Sequence, residues 1–237
     1  MQKYSIFNLV KNAFSNHENW DLYLKDTSTK EEYDVVIIGG GGHGLATAYY
    51  LAKEHNITKV AIIEKGWIGG GNVGRNTTII RSNYMHDENG LFSEFGMDLW
   101  RKMSQDLNYN VMFSPRGIIN LAHSDAQMNA YARRGNSMRL NGIDAVLLNR
   151  EQVKEIIPMA DFSENVRFPI FGGLMQPSAG TARHDAVAWG YARQADSMGV
   201  DIIQNCEVIG FDVSAGKIKG IRTSRGNIKA KKVGICV

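Results

Sequence analysis

Cysteine is scarce in this sequence, since only Cys206 and Cys236 occur among 237 residues. The two form no CxxC pair and no disulfide framework, so a reducing, cytoplasmic setting is expected. Long hydrophobic runs are also lacking, and none approaches the ~18–20 apolar residues that a membrane helix needs. The beginning of the sequence has no continuous apolar stretch of the kind that a secretory signal carries. The sequence therefore predicts neither a membrane span nor an export signal.

The sequence also has little excess charge. Its 27 basic and 24 acidic residues give a net charge of +3, and the basic residues are spread along the chain. One short basic cluster, formed by Lys229, Lys231 and Lys232, is typical of a solvated strand end rather than of a nucleic-acid surface. With 43% hydrophobic residues, the chain can bury a core of one or two domains. No nucleic-acid partner and no metal site are predicted.

A strand, a glycine cluster, a helix and a second strand follow one another early in the chain. Asp34–Ile38 is a continuous apolar run, as expected of a strand buried on both faces. Leu45–Lys53 has helical spacing, and Val60–Glu64 reads as a second buried strand. This β-turn-α-β unit of about thirty residues is typical of the mononucleotide-binding half of a doubly wound sheet.

The glycine cluster contains the pattern G-x-G-x-x-G at Gly39, Gly41 and Gly44. The first glycine permits a tight turn, the second lets the backbone approach a pyrophosphate, and the third allows close helix–strand packing. Glu64 ends the second strand, where a carboxylate can bind ribose hydroxyls. The pattern alone is a weak signal, and a glycine turn without a ligand is the alternative. The complete unit favours a dinucleotide, and the carboxylate argues against NADP.

A second glycine-rich segment, residues 65–84, bears on whether the ligand is FAD or NAD. Its many hydrogen-bond donors suit the extended ribityl and pyrophosphate groups of FAD. A flexible surface loop is the alternative, and the buried-looking run Thr77–Arg81 argues against it. The predicted FAD contacts in the turn and this segment are Gly39, Gly41, Gly42, His43, Gly44, Glu64, Lys65, Asn72, Arg75, Asn76, Thr77 and Ile79.

The remaining pattern alternates helices and strands. Ser124 and Asn149 are placed to cap two helices, the first of which Gly142 stops and the second of which Pro158 ends. Ala215 and Gly216 predict a hairpin turn. Further elements are predicted at Glu94–Leu107, Gly117–Ala122, Asp185–Met198, Val200–Ile203, Val208–Val213 and Lys232–Val237.

These elements predict an α/β fold in which an FAD/NAD-binding, doubly wound (Rossmann-like) sheet carries an inserted α+β substrate domain. The sequence stops inside the predicted strand Lys232–Val237. A fragment truncated at the C-terminus is therefore expected, and a natural C-terminal strand is the alternative. The first thirty positions are expected to form a loose tail, and their aromatic residues (Tyr4, Phe7, Phe14, Trp20 and Tyr23) suggest that it lies against this chain or against a partner. The expected divisions are a tail at 1–30, the FAD-binding domain at 31–113 and 178–237, and the insert at 114–177.

Four stretches of the sequence are long and specific enough to identify a family. They closely resemble the β subunit of heterotetrameric sarcosine oxidases, and the resemblance covers the whole chain. Family chains are considerably longer, so this one resembles their N-terminal part. The sequence departs from the family at Gln176–Ala179, which puts the local loop in doubt. The four stretches are Gly39–Ala52, Gly69–Tyr84, Leu107–Phe113 and Gly180–Tyr191.

The resemblance implies two flavins, since the family's β subunit holds FAD noncovalently and FMN covalently through a histidine. The matching histidine is His184, and a neutral imidazole is a competent nucleophile toward the flavin 8α-methyl group. Arg81 matches the arginine that such oxidases use to hold the substrate carboxylate. Val208 matches the strand residue whose backbone meets the adenine. Without the family, the alternatives are that His184 merely begins a helix, that Arg81 forms a salt bridge or a phosphate contact, and that Val208 is an ordinary buried strand valine.

The reaction that the resemblance implies is the oxidative demethylation of sarcosine. Electrons would pass from FAD to FMN to oxygen with hydrogen peroxide formed, and the one-carbon unit would go to tetrahydrofolate on the α subunit or leave as formaldehyde. The partners would be α, γ and δ subunits, and the family's flavin-proximal lysines would lie beyond residue 237. Two alternatives remain, an FAD-only amine or hydroxy-acid oxidoreductase of this fold and a non-catalytic nucleotide-binding fragment. Flavin stoichiometry (two, one or none) separates the three.

Overall fold

The fold is given by a computed structural model, which describes residues 6–18, 24 and 27–237. The chain divides into two compact units, one made of Met1–Arg75 and Tyr191–Val237 and the other of Asn76–Gly190. The expected domain boundaries at 113 and 177 do not coincide with this division and stay predictions. In the ranges just given, no helix is long and apolar enough to cross a membrane.

The described residues form six α-helices, eleven strands and one 3-10 helix. The α-helices are α1 (Ile6–Phe14), α2 (Gly42–His55), α3 (Asp87–Asp106), α4 (Asp125–Leu140), α5 (Arg150–Ile156) and α6 (His184–Ser197). The strands are β1 (Glu32–Ile38), β2 (Val60–Ile63), β3 (Ile79–Ile80), β4 (Ile118–Ala122), β5 (Val146–Asn149), β6 (Gly172–Gln176), β7 (Gly180–Thr181), β8 (Asp201–Ile203), β9 (Val208–Ser214), β10 (Lys217–Thr223) and β11 (Gly226–Ile235). A 3-10 helix spans Asn72–Arg75.

The first unit is built on a sheet whose strand order, among the described residues, is β8-β2-β1-β11-β10-β9. β1 lies between β2 and β11 and is parallel to both, while β10 is antiparallel to β11 and β9. α2 connects β1 to β2, so the predicted β-turn-α-β unit is confirmed. Ala215 and Gly216, with φ of 50° and 71°, form the predicted turn between β9 and β10. The sheet is therefore mixed: β8, β2, β1 and β11 are parallel to one another, and β10 and β9 form an antiparallel hairpin beside β11.

The core of the first unit lies along the central strands. Val36, Ile37 and Ile62 are fully buried, as expected of strands covered on both faces. One cluster joins residues from five of the strands and from the turn before β9, and consists of Tyr33, Val36, Ala61, Ile63, Ile203, Cys206, Ile221, Ile228 and Ala230. Burial of these apolar side chains fixes the end of β2, from which Glu64 extends.

The second unit contains an antiparallel sheet of order β4-β6-β5 and a short β3–β7 pair. Met138 of α4 packs with Leu174 of β6 in one buried cluster, and α5 contributes Val153 to another. The two predicted caps are confirmed. Ser124 accepts a hydrogen bond from the Gln127 N–H, and Asn149 forms a capping box with Gln152.

Two sequence-based element starts were wrong by several residues. α3 begins at Asp87 rather than at Glu94, because acidic residues in its first turn favour a helix start that a search for one apolar stripe overlooks. β11 begins at Gly226 rather than at Lys232, since pairing with β10 recruits its polar first half. Within the predicted tail at 1–30, α1 is helical, with Phe7 and Phe14 exposed, and the predicted contact of the tail stays a prediction. Tyr4, Trp20 and Tyr23 lie outside the described residues.

Candidate cofactor site

The glycine turn between β1 and α2 leaves no room for side chains at two positions. Gly39 has φ +108°, and a Cβ there would lie 2.4 Å from the carbonyl oxygen of Cys236. A Cβ on Gly44 would lie 2.0 Å from the carbonyl oxygen of Gly39. Gly39 therefore lets the turn approach the residue that follows β11, and Gly44 lets the start of α2 pack against the turn, as the G-x-G-x-x-G pattern predicts.

Gly41 differs from these two glycines. A Cβ on this residue would meet its nearest neighbour, Val73 Cγ2, only at 3.8 Å, so the chain itself would tolerate a side chain. Gly41 is the N-cap of α2 and supplies no side-chain cap hydrogen bond. The first N–H groups of a helix have no partner within the helix, and the helix dipole favours an anion there. Gly42 and His43 form this first turn, so the backbone is suited to a pyrophosphate.

Glu64 is fixed directly beside the turn. One carboxylate oxygen accepts the Gly40 N–H at 2.7 Å, and the other accepts the Gly66 N–H at 2.8 Å. The Glu64 backbone is held in turn by Ile203 and Cys206. A carboxylate offers about four lone-pair sites, so two bonds leave it able to accept from ribose hydroxyls as well. The residues present thus fit an adenosine diphosphate moiety.

The segment after Glu64 folds back toward the turn. The Gly69 N–H donates to the Gly40 carbonyl at 3.0 Å, and Gly74 donates to Gly69 at the same distance. Gly69 has φ +71°, which favours glycine. The predicted contacts Lys65, Asn72 and Arg75 are exposed in this segment, and Val208 is half-buried at the start of β9. All of them belong to the first unit, together with the glycine turn.

The continuation of the segment, in the second unit, corrects one expectation. The Thr77–Arg81 run was predicted to be buried, yet Thr77 and Ile79 are exposed, as is Asn76. Ile79 and Ile80 pair with Gly180 and Thr181 as a short ribbon, which leaves the Ile79 side chain exposed and that of Ile80 half-buried. The prediction failed because two apolar residues pair at an edge rather than within a sheet.

Arg81 is half-buried and held on two sides. Its guanidinium donates to the side-chain oxygen of Asn83 and lies over the Tyr84 ring, 4.9 Å from the centroid. Arg134 of α4 donates through Nε and Nη2 to the backbone carbonyl of Asn83, the Nε bond being 2.7 Å long. Burial lowers the pKa of the Arg134 guanidinium, and the nearby charge of Arg81 lowers it further. The positively charged guanidiniums of Arg81 and Arg134 therefore both bond to Asn83.

Asn83 and Arg134 were not found by sequence reasoning. The one available signal was a polar pair, Ser82 and Asn83, which follows Arg81 soon after the apolar residues Ile79 and Ile80. Both are fully buried, and buried polar side chains need partners that lie far away in sequence.

His184 begins α6 in the second unit. Its Nδ1 is buried and has no hydrogen-bond partner within the part of the chain that the structure describes. Its neighbours Arg183 and Asp185 bond to each other at 2.9 Å and leave the imidazole out. A buried ring nitrogen without a partner costs free energy, so the site fits a group that would engage this atom.

The β1–α2–β2 turn, the acid at Glu64 and the mixed sheet define a dinucleotide-binding α/β protein. The family model described as "FAD dependent oxidoreductase" matches residues 34–237. The chain therefore belongs to the FAD-dependent oxidoreductase family, and FAD is the cofactor of this fold.

Curated relatives are similar over nearly the whole chain. Sarcosine oxidase subunit beta from Rhizobium meliloti is 57% identical over 98% of this chain, and that from Rhodobacter capsulatus is 48% identical over 100%. The chain spans 56% and 57% of their lengths, so it covers about half of each. Among solved structures, L-proline dehydrogenase from P. horikoshii aligns with a TM-score of 0.80 and 29% identity, over 88% of this chain and 54% of the other.

Proposed function

We propose that this chain is part of a sarcosine oxidase β subunit and acts in the flavin-dependent oxidative demethylation of sarcosine. The observation that carries the proposal is the 57% identity to a protein of that name over 98% of this chain. The glycine turn supports it independently, because its backbone geometry suits FAD.

The first unit would bind the adenosine diphosphate part of FAD. The N-terminus of α2 would receive the pyrophosphate, and the Glu64 carboxylate would accept from the ribose hydroxyls. Lys65, Asn72 and Arg75 would contribute from the segment after Glu64, and Val208 would present its backbone to the adenine. When bound, FAD would supply the two-electron oxidation of the sarcosine methyl group.

Arg81 would hold the carboxylate of sarcosine. A guanidinium provides two parallel N–H donors for a carboxylate, and the contacts with Asn83 and Tyr84 restrict its orientation before the substrate arrives. Orientation of this kind places the methyl carbon for oxidation and lowers the entropy lost in the reaction. Asn76, Thr77 and Ile79 precede Arg81 and would line the flavin.

His184 would carry FMN covalently. Its buried, unpartnered Nδ1 supports this assignment, because attachment would remove the cost of an unsatisfied nitrogen. A flavin linked to the chain would remain in place while it passes electrons to oxygen. The protein would act with α, γ and δ subunits and deliver the one-carbon unit to tetrahydrofolate. Its two free cysteines suit the cytoplasm, where such an assembly would lie.

The test is flavin content and turnover of the full-length protein co-expressed with its partner subunits. The proposal predicts two flavins per β chain, one of them stable to acid denaturation, and oxygen uptake with sarcosine. One noncovalent flavin and turnover of another amine or hydroxy acid would favour an FAD-only oxidoreductase. No bound flavin would favour a non-catalytic nucleotide-binding protein.

A further inference from the structure

Asn83 connects two arginines that lie far apart in the sequence. Its side-chain oxygen accepts from the Arg81 guanidinium, while its backbone oxygen accepts from Arg134. Its side-chain nitrogen donates to Asn120 Oδ1 of β4 at 2.7 Å. The last bond fixes which end of the amide faces Arg81, because the nitrogen is turned toward Asn120.

The backbone of this segment is equally well held. Ser82 is fully buried and donates its N–H to Gln176 Oε1 at 3.0 Å. Its hydroxyl donates to Glu94 Oε2 and accepts from Gln176 Nε2, both at 2.6 Å. The peptide that carries Asn83 is therefore anchored to α3, β4, β6 and α4, all within the second unit.

We infer that Asn83 is a positioning residue that holds the guanidinium of Arg81 in the orientation needed to bind a substrate carboxylate. The inference rests on the proposed function, in which Arg81 meets that carboxylate. Asn83 is 0% exposed and cannot itself reach a ligand, so it acts through Arg81. A neutral amide oxygen suits this role, because a carboxylate at the same place would neutralise the charge that the substrate needs.

Arg134 contributes to the same arrangement. It donates twice to the Asn83 carbonyl and so opposes movement of the segment. Its charge also raises the positive potential around Arg81. The two guanidiniums repel each other, and a bound anion would stabilise both of them. The structure thus combines a guanidinium of fixed orientation, that of Arg81, with a positive potential from both arginines that favours a carboxylate.

The experiment measures the affinity of acetate and of sarcosine by flavin absorbance in the full-length, flavin-loaded complex. Arg81→Ala should weaken both ligands by about tenfold or more, and Asn83→Ala by about fivefold or more. Asn136→Ala is the matched control, because Asn136 accepts from Arg139 on the exposed surface of α4 at 2.6 Å, and it should change neither affinity.

A double-mutant cycle separates positioning from general support. If Asn83 acts through Arg81, Asn83→Ala should cause no further loss of affinity in the Arg81→Ala background. Equal losses in both backgrounds, or no loss in the wild-type background, would overturn the inference and leave the proposed function intact. Unchanged affinity in Arg81→Ala would overturn the carboxylate role of Arg81 and this inference together.

A second variant covers the case in which Asn83→Ala does not fold. Asn83→Asp preserves size and the acceptor for Arg81 but pairs the guanidinium with a negative charge. It should weaken acetate binding by about tenfold, and wild-type affinity in a folded, flavin-loaded Asn83→Asp protein would contradict the inference.

Discussion

The Glu64 carboxylate accepts the backbone N–H of Gly40 at 2.7 Å. This bond joins the end of β2 to the first turn after β1, so the Glu64 carboxylate and the glycine turn are held together. A Cβ on Gly40 would lie 3.0 Å from Glu64 Cβ, which shows how closely the two segments approach. Glu64 therefore has a structural role as well as the proposed role in ligand binding.

Replacing Glu64 tests both roles. In Glu64→Gln the amide nitrogen must face the N–H of Gly40 or of Gly66, so one hydrogen bond is lost and two donors oppose each other. FAD affinity should fall by about tenfold, measured by fluorescence titration of the apoprotein complex, and Glu64→Arg should bind more weakly still. Glu54→Gln, at the exposed end of α2, is the control and should bind FAD normally. Normal FAD binding by Glu64→Gln would remove Glu64 from the site.

Gly44→Ala should destabilise the first unit. The new Cβ would lie 2.0 Å from the Gly39 carbonyl oxygen, which is backbone and cannot move without shifting β1 or α2. A loss of roughly 3 kcal/mol in the free energy of unfolding and loss of bound FAD are expected. Gly96→Ala in α3 is the control, since nothing lies within 4 Å of its Cβ, and it should retain stability or gain up to about 1 kcal/mol. Chemical denaturation with a flavin assay measures both, and equal stabilities of the two variants would contradict the close-approach argument.

Arg81→Lys should raise KM for sarcosine about tenfold with a smaller effect on kcat. A lysine keeps the charge but provides no planar pair of donors and cannot reproduce the contact over Tyr84. Steady-state oxygen uptake by the complex measures the change. Arg133→Lys replaces an exposed arginine of α4 and should match the wild type. A fall in kcat at unchanged KM would contradict a ground-state carboxylate contact.

If His184 carries FMN as proposed, His184→Ala should abolish the covalent linkage while FAD and its anaerobic reduction by sarcosine persist. Most oxygen turnover should disappear, because reoxidation would depend on FMN. Denaturing electrophoresis with in-gel flavin fluorescence, followed by peptide mapping, measures the linkage in the co-expressed complex. His55→Ala, on the exposed end of α2, should keep the covalent flavin. A flavin-bearing peptide that lacks His184 would show the assignment to be wrong.

The raised pKa of the Tyr33 hydroxyl predicts that the protein loses stability at high pH. Its hydroxyl donates to Asp201 at 2.8 Å, and burial raises its pKa to about 12 from an ordinary value of 10.0. As the pH rises, the Tyr33 hydroxyl loses its proton in the unfolded chain before it does so in the folded protein. The contribution of this protonated hydroxyl to the free energy of unfolding is therefore complete below pH 10 and is lost as the pH rises toward 12. Wild type should lose about 2 kcal/mol more than Tyr33→Phe over this interval, measured by urea denaturation. Parallel pH profiles of the two proteins would refute the assignment.

The local elements were predictable because their signals lie within a few residues of one another. The run Asp34–Ile38, the glycine turn and the second strand specify a β-turn-α-β unit by periodicity and by the conformations open to glycine. Ser124 and Asn149 cap helices through groups only three residues away. The hairpin at Ala215 and Gly216 follows from two adjacent residues with positive φ.

The site was predictable only in part. Glu64 lies beside the glycine turn, as its place at the end of the second strand predicts, because it bonds to Gly40. The exposure of Ile79 contradicts the prediction that the Thr77–Arg81 run is buried. Asn83 and Arg134 were missed because a bond that spans 51 residues leaves no local pattern. The roles of the predicted contacts stay predictions.

By itself, the sequence determined the class of this protein, since the glycine pattern, the acid at Glu64 and long matching stretches indicate an FAD-binding oxidoreductase. Tertiary structure decided what the sequence pattern leaves open: the insertion of β11 between β1 and β10, the Gly40–Glu64 bond, the buried Nδ1 of His184 and the two arginines joined by Asn83. Periodicity records only which face of an element is apolar. Which distant polar group meets which depends on how the sheets and helices pack, because a buried donor or acceptor is satisfied only by the partner that packing brings to it.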